Sequence, residues 1–330
     1  MQRSLLLLIA ASVAAIGAAA FVVSLIGIPW MPKVGSEQGE RIDTVYLLAS
    51  VISLVIFAIV AAASIYAIFK FRAKPDDEED GKPIHGHTGL EVVWTLIPTL
   101  LVTGIAVWSG VVVVQNDRLP KDHMVVEVTA AQFAWSFKYP DLNITTGELV
   151  LPVDEPVELQ MQSNDVIHSF WVPEWRQKQD VVPGIITTYR ITPNREGTFA
   201  VVCTELCGLG HAVMRAQTRV LPQAEYDQWV ADQKAAVAGG GDNLGKATFV
   251  NNGCGSCHVL ADANGTGTTG PNLDEALAGT TADFVRESIV DPSAEVTEGY
   301  PDNVMPKTYD TLSQDELDAL VDYLVKTTSG

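Results

Sequence analysis

Two thiols, an imidazole and a thioether lie within the segment CTELCGLGHAVM, at Cys203, Cys207, His211 and Met214. Zinc sites use cysteine and histidine, but a methionine thioether is a poor zinc ligand and indicates copper. A mononuclear blue-copper site takes one thiolate, two imidazoles and a weak axial methionine, so this segment holds one thiolate too many. Two copper ions that share both sulfurs accommodate the extra thiolate, if each ion also has one imidazole and one weak ligand.

The second imidazole of such a site must come from another part of the chain. His168, in DVIHSFWVP, is the other histidine of this region apart from His123 at its edge. The last weak ligand is predicted to be a backbone carbonyl between the two cysteines, such as that of Glu205. Two shared thiolates spread an unpaired electron and keep the geometry similar in both redox states. The expected chemistry is therefore the transfer of single electrons.

The other two cysteines, Cys254 and Cys257, stand in CGSCH. Outside the cytoplasm an even number of cysteines usually indicates disulfides, but C-x-x-C-H is the signature of covalent haem attachment. His258 is then one axial ligand of the iron, and Met305 in VMP is the predicted second, as in His/Met electron carriers. The carbonyl of Pro271, in GPNL, is predicted to accept the remaining ring N–H of His258.

Three uncharged apolar runs occupy the first third of the chain, at residues 4–28, 44–69 and 92–114. Each exceeds the roughly 20 residues that a helix needs to cross a hydrocarbon core. The second and third are predicted to be transmembrane helices over 44–69 and 91–114, because a helix satisfies its own backbone in lipid. The first, within residues 1–28, is predicted to be a signal peptide or a further transmembrane helix.

Basic residues in the loop after the second run predict the orientation. This loop carries Lys70, Arg72, Lys74 and Lys82, which places it in the cytoplasm. The chain from about Gln115 onward is then predicted to lie on the extracytoplasmic side of the membrane. The net charge of −19 argues against nucleic-acid binding and suits a soluble surface, or one that attracts cationic partners.

The external part divides into two modules. Residues 122–221 alternate apolar and polar side chains between Pro and Gly, which predicts an antiparallel sandwich or barrel of short strands. Residues 222–243 are predicted to form a helix and a flexible linker ending in GGGDN. Residues 244–330 form a helical module, in which Ser313 and Glu316 are predicted to make a capping box.

The pattern C-x-E-x-C-x-x-x-H-x-x-M, with HSFWVP upstream, resembles the copper A site of cytochrome c oxidase subunit II. The resemblance covers about residues 44 to 330, and CGSCH is similar to the bacterial type with a fused cytochrome c domain. It implies a multi-domain membrane protein with a transmembrane helical hairpin, a cupredoxin-like antiparallel β-sandwich and a C-terminal all-α class I cytochrome c domain. The implied ligands of a dinuclear copper are His168, Cys203, Glu205 through its backbone oxygen, Cys207, His211 and Met214.

The resemblance implies roles for further residues. The side chain of Glu205, with Asp180 in QDVVPG, is expected at a magnesium site at the boundary with subunit I. Glu91, in LEVVWTLIP, is expected to take part in proton uptake on the cytoplasmic side, with an interfacial charge that ends the helix as the alternative. In AQFAWSFKY the sequence departs from the family, which usually has tryptophan where electrons arrive. Phe133 stands there, so Phe133 or Trp135 is the predicted residue, with core packing as the alternative for Trp135.

These features predict subunit II of a haem-copper terminal oxidase, a proton-translocating oxidoreductase with no oxygen chemistry on this chain. Electrons would pass from cytochrome c or a quinol-dehydrogenase complex through haem c and copper A to catalytic subunit I, with subunit III as a further partner. Two alternatives are an electron-receiving subunit of a nitric or nitrous oxide reductase, and a membrane-anchored copper carrier or chaperone. The paired spans and Glu91 favour the oxygen enzyme, and a carrier has little use for a covalent haem.

Overall fold

The structure is a computed structural model that describes Gly17 and residues 31–72, 83, 85–239, 241–302, 304–307, 309 and 312–329. Apart from Gly17, the predicted signal peptide or first helix over 1–28 lies outside these residues, as do Lys74 and Lys82. The chain divides into two compact units. One consists of Met1–Pro32 and Arg41–Gln115, and the other of Lys33–Glu40 and Asn116–Gly330.

Two long helices, α1 (Glu37–Lys70) and α2 (Thr88–Asn116), carry the second and third apolar runs. Each is long and apolar enough to cross a membrane. Both extend beyond the apolar runs because polar residues at their ends continue the helix, as Glu37 does in the first turn of α1. Large apolar side chains point outward along both helices, and such a surface requires lipid or protein to cover it.

The middle of the chain forms two five-stranded sheets, in the orders β3-β2-β1-β5-β8 and β4-β10-β9-β6-β7. The strands are β1 (Met124–Ala131), β2 (Ala134–Tyr139), β3 (Ile144–Thr146), β4 (Leu149–Pro152), β5 (Val157–Ser163), β6 (His168–Trp171), β7 (Lys178–Val181), β8 (Thr187–Ile191), β9 (Gly197–Cys203) and β10 (Arg215–Leu221). Their inward residues form one apolar core. The predicted sandwich is confirmed, with one difference in strand direction.

Two strand pairs, β1 with β5 and β4 with β10, run parallel, whereas the sequence pattern predicts antiparallel pairing throughout. The reason is the path of the chain. Along the chain, β3 and β5 belong to the first sheet, but β4, which comes between them in sequence, belongs to the second sheet. The chain therefore crosses from one sheet to the other after β3 and crosses back after β4. Strand β5 therefore returns beside β1 by a long connection and in the same direction, whereas neighbours joined by a tight hairpin run antiparallel.

Helix α3 (Gln223–Gly239) follows the sandwich, and its Tyr226 and Trp229 pack on the sandwich core. The predicted flexible GGGDN is shorter than expected, because Gly239 ends α3 and Gly241 already begins α4 (Gly241–Asn251). The remaining elements are β11 (Val259–Leu260), β12 (Gly265–Thr266), α5 (Leu273–Ala276), α6 (Ala282–Val290) and α7 (Gln314–Thr328). Their apolar faces form a second core, which includes Phe249, Leu260 and Leu320.

The predicted capping box of α7 is present. Ser313 Oγ accepts a hydrogen bond from Glu316 N at 3.3 Å, and Ser313 N donates to Glu316 Oε2 at 3.0 Å. We expect Ser313→Ala to destabilise the cytochrome module by about 1 kcal/mol, because the first turn of α7 loses an acceptor. Thermal unfolding followed at the haem band measures this loss. Ser313→Thr keeps the cap and should retain most of the stability; equal midpoints for wild type and Ser313→Ala would contradict the expectation.

Candidate metal and haem sites

Sheet pairing brings the predicted copper ligands together. Strand β9 ends at Cys203, and β6 pairs with it so that Phe170 stands opposite Cys203. His168 begins β6, two residues before Phe170. After Cys203 the chain forms a tight loop to Cys207, and a short 3-10 turn over His211–Val213 leads to Met214, whose backbone oxygen accepts a hydrogen bond from Cys203 N at 3.2 Å.

The six predicted ligand atoms fall into two halves around the sulfur pair. The Sγ atoms of Cys203 and Cys207 are 3.9 Å apart, well beyond the roughly 2 Å of a disulfide bond. Cys203 Sγ lies 3.9 Å from His168 Nδ1 and 3.3 Å from the backbone oxygen of Glu205. Cys207 Sγ lies 3.6 Å from His211 Nδ1 and 3.7 Å from Met214 Sδ. Each sulfur therefore has one imidazole and one weak donor, as two ions sharing both thiolates require.

Burial and charge around the sulfurs favour a bound cation. His168, Cys203, Cys207 and Met214 are all buried. Burial alone would raise the pKa of Cys203, but hydrogen bonds with His168 and with the backbone of Ser169 and Glu205 lower it to about 6. Burial, and then the neighbouring Cys203, raise the pKa of Cys207 to about 12. These shifts favour one thiolate over two in the protein alone, and a bound cation would stabilise the second.

Asp165 orients His168, and the sequence analysis missed this residue. His168 Nε2 donates to Asp165 Oδ1 at 2.8 Å, which leaves Nδ1 facing the sulfurs. Asp165 Oδ2 accepts from the backbone N–H of Gln132 at 2.7 Å, and the Gln132 amide donates to the backbone oxygen of Cys207. Burial raises the pKa of Asp165, but the hydrogen bonds with His168, Gln132 and Val166 outweigh it, so the pKa is lowered. An acid three residues before the histidine in DVIH was the available signal.

We expect Asp165→Asn to weaken copper binding by roughly 10–100-fold, as loss of the partner of a ligating histidine does. The two carboxylate oxygens of Asp165 accept from the His168 ring N–H and from the Gln132 backbone N–H. An asparagine amide has one oxygen and no negative charge, so it cannot replace both acceptors. Competition with a copper chelator in the purified complex measures the change. Asp141→Asn, at an exposed turn, is the control and should leave copper affinity unchanged. Equal affinity for the two variants would show that Asp165 does not position the ligand.

Phe133 and Trp135 lie directly beside the copper ligands. The Trp135 ring packs edge-on against the His168 ring, with centroids 6.2 Å apart. The ring of Phe133 packs directly against Gly210 in the loop that carries the ligands. The contact is so close that a Cβ at Gly210 would lie only 2.4 Å from the ring. Both aromatic residues are buried, at 7% and 2% exposure. The core-packing alternative for Trp135 therefore holds, together with contact to a predicted ligand.

The predicted haem residues surround one cavity of about 590 Å³, a volume typical of cofactor pockets. Cys254, Cys257, His258 and Met305 all line it. His258 Nδ1 donates to the carbonyl of Pro271 at 2.9 Å, as predicted, so Nε2 is free to bind iron. Burial lowers the pKa of His258 despite that bond, which keeps the imidazole neutral and able to ligate. The residues present therefore fit a covalent haem.

The wall of this cavity includes residues of the β-sandwich that carries the predicted copper ligands, here called the copper domain. Phe133 and Trp135 of that domain line it, as does Arg215. The backbones of the two domains touch nearby, since a Cβ at Gly147 would lie 2.5 Å from the backbone nitrogen of Gly253, next to Cys254. The haem cavity and the copper ligands are therefore separated by a shared aromatic wall.

Two predicted residues, Asp180 and Glu91, lie apart from these sites. Asp180 Oδ1 accepts a hydrogen bond from Ser169 Oγ at 2.8 Å. Within the part of the chain that the structure describes, the single close group of His, Cys, Asp and Glu ligand atoms is His168, Cys203 and Cys207, so no carboxylate cluster supports the magnesium prediction. Glu91 Oε1 accepts from His87 N at 3.0 Å at the start of α2, which is a capping contact; its role in proton uptake stays a prediction.

Comparisons with known proteins agree with this architecture. Three family models match: "Cytochrome C oxidase subunit II, transmembrane domain" at residues 27–112, "Cytochrome C oxidase subunit II, periplasmic domain" at 142–220, and "Cytochrome c" at 243–328. Cytochrome c oxidase subunit 2 of Alkalihalophilus pseudofirmus is 35% identical over 87% of this chain and 88% of that protein. The Synechocystis protein of the same name is 33% identical over 61% of this chain and 75% of its own length.

Among solved structures, the periplasmic domain of subunit II of the Bradyrhizobium japonicum cytochrome oxidase is 30% identical, with a TM-score of 0.34, over 36% of this chain and 97% of that one. Two apolar helices, a cupredoxin-like sandwich and a C-terminal cytochrome module define a membrane-anchored subunit. The chain belongs to the cytochrome c oxidase subunit II family, in the form with a fused cytochrome c domain. It is thus part of a haem-copper terminal oxidase, an oxidoreductase, and the two matched domains imply copper A and haem.

Proposed function

We propose that this chain relays electrons from cytochrome c, or from a quinol-dehydrogenase complex, through a covalent haem c and a dinuclear copper A to catalytic subunit I. The observation that carries the proposal is the shared wall, in which Phe133 and Trp135 line the haem cavity and also pack against the copper loop and His168. An acceptor beside the donor's own pocket fits a relay within one chain. A copper carrier would have no use for this arrangement.

The residues that would hold each group are those that the structure brings together. Copper would be held by His168, Cys203, the backbone oxygen of Glu205, Cys207, His211 and Met214. Haem would be held by Cys254, Cys257, His258 and Met305. Each group, when bound, supplies a redox centre that takes up and releases one electron.

The protein's own contribution is to position these ligands and to exclude water. The sandwich core buries both thiols, and Asp165 fixes the ring of His168. The Pro271 carbonyl fixes the ring of His258 in the same way. Phe133 and Trp135 fill the space between the two sites with packed aromatic atoms, so that electrons need cross no layer of solvent.

The loop that carries the predicted copper ligands, residues 203–214, presents an apolar surface that suits docking to subunit I. Leu206 and Leu209 are 79% and 87% exposed, although both flank a buried ligand, Cys207. Large apolar side chains exposed at a functional site mark a protein–protein interface. We place this surface, with both soluble domains, on the extracytoplasmic side of a bacterial plasma membrane, in a complex with subunits I and III. The names of the relatives favour an oxidase over a nitric or nitrous oxide reductase.

The test is the composition and kinetics of the chain purified with its membrane partners. We expect two copper ions and one covalent haem per chain, with a c-type absorption band and the signature of a mixed-valence copper pair. Rapid reduction of the haem should be followed by electron transfer to copper and by oxygen consumption. Zinc or a disulfide at Cys203 and Cys207 would overturn the proposal. Transfer of electrons from the haem to subunit I in a complex that lacks copper A would overturn it as well.

A further inference from the structure

Among the described residues that line the haem cavity, the one arginine or lysine comes from the copper domain. Among the described residues that line the cavity, Arg215, Glu295 and Glu298 are charged, and the rest are apolar or neutral polar. A haem carries two propionate carboxylates, which need hydrogen-bond donors or a cation when they are partly removed from water. Arg215 is the side chain in this wall that best matches a carboxylate.

Arg215 is also unpaired, unlike the arginine next to it on the same face. Strand β10 alternates, with Ala216 and Thr218 buried and Arg215 and Arg219 outward. Arg219 Nη2 donates to Glu148 Oε1 at 2.7 Å, and Arg219 Nε donates to Glu148 Oε2 at 3.2 Å. Arg215 has no hydrogen bond or ion pair with any residue that the structure describes, so its five donors are available.

The backbone holds Arg215 at the border between the two sites. It directly follows Met214, and its strand partner is Val202, the residue before Cys203. The cytochrome module is close here, since Gly253 contacts Gly147 without space for a side chain and Val304, beside Met305, packs on the sandwich core. The position of Arg215 relative to the cavity is therefore set by the docking of the two domains.

We propose that Arg215 binds a haem propionate across the domain boundary, so that the copper domain completes the haem site of the cytochrome module. The proposal rests on the haem of the proposed function. Arginine matches a carboxylate with two parallel hydrogen bonds, which fixes the haem edge as well as its charge. A cation at this point also stabilises the reduced haem, which carries one more negative charge than the oxidised form. The reduction potential of the haem therefore depends on a residue of the copper domain.

The test compares Arg215→Gln with wild type in the purified oxidase complex. Redox titration at the c-type band should give a lower midpoint potential for Arg215→Gln, because the nearby positive charge is gone. Arg219→Gln is the matched control, since it removes the same charge from the same face of the same strand but does not line the cavity. Its midpoint potential should remain close to that of wild type. Equal shifts in both variants, or none in either, would overturn the proposal.

Resonance Raman spectroscopy provides a second measurement that does not depend on the Gln variant assembling. Arg215→Lys keeps the charge but loses the paired donors, so it should keep the midpoint potential and shift the propionate bending band. An unchanged band in Arg215→Lys would show that Arg215 does not bind the propionate. Absence of the c-type band in wild type would instead defeat the proposed function, so the two failures are distinguishable.

Discussion

Replacing Cys207 with serine should abolish the dinuclear copper centre and stop electron transfer from the haem to oxygen. Cys207 Sγ lies within 4 Å of the other thiol, of His211 Nδ1 and of Met214 Sδ. A serine hydroxyl is not ionised at neutral pH and is a poor copper ligand, so one half of the site loses its anionic donor. We expect copper content to fall below two ions per chain, with the mixed-valence signature lost. The c-type haem should still be reduced by the donor but should no longer be reoxidised by oxygen.

The control for this variant is Met214→Leu, which removes the weak thioether and nearly preserves side-chain volume. It should retain two coppers with an altered redox potential, because an axial ligand tunes a copper site more than it holds it. Metal analysis, the near-infrared spectrum and haem reoxidation kinetics measure both variants. Two coppers and wild-type reoxidation in Cys207→Ser would show that the shared-thiolate arrangement is wrong.

The copper and haem motifs could be predicted from the sequence because their ligands are mostly local. Five of the six predicted copper ligands lie in the segment from Cys203 to Met214, and the loop that joins them leaves few arrangements. CGSCH is likewise a single turn of chain. The small number of histidines in the region predicts His168 as the remote ligand, and the pairing of β6 with β9 supplies the physical reason for its position.

The features that link the two domains could not be predicted, because they arise only from tertiary contacts. Nothing in the sequence around Gly147 indicates that its α-carbon faces the backbone of Gly253. The sequence pattern predicts only that Arg215 faces outward from its strand, and the tertiary structure adds that it lines the haem cavity. The parallel pairing of β1 with β5 has the same origin, since alternation reports which face is buried but not which strand lies alongside.

Gly147→Val should separate the cytochrome module from the copper domain while leaving the copper ligands and the predicted iron ligands in place. The Cβ of any side chain at Gly147 would lie 2.5 Å from Gly253 N and 2.6 Å from Gly253 Cα, and these are backbone atoms that cannot rotate away. Gly253 has φ of 70° and directly precedes the turn that carries Cys254, so its own conformation is constrained. Overpacking of this kind costs about 1–3 kcal/mol. The docked population, and with it the rate of haem-to-copper transfer, should fall by about ten- to a hundredfold.

Flash reduction of the haem measures this rate, and the c-type band and copper content show that both centres remain loaded. Thr145→Val is the matched control, because it places the same side chain two residues earlier, at an exposed position of β3. It should transfer electrons at the wild-type rate. A reduced rate for Gly147→Val alone means that electron transfer requires the docked arrangement that the Gly147–Gly253 contact allows. Wild-type transfer in Gly147→Val would mean that the haem reaches copper from another orientation, and the aromatic wall of Phe133 and Trp135 would then lie off the electron path.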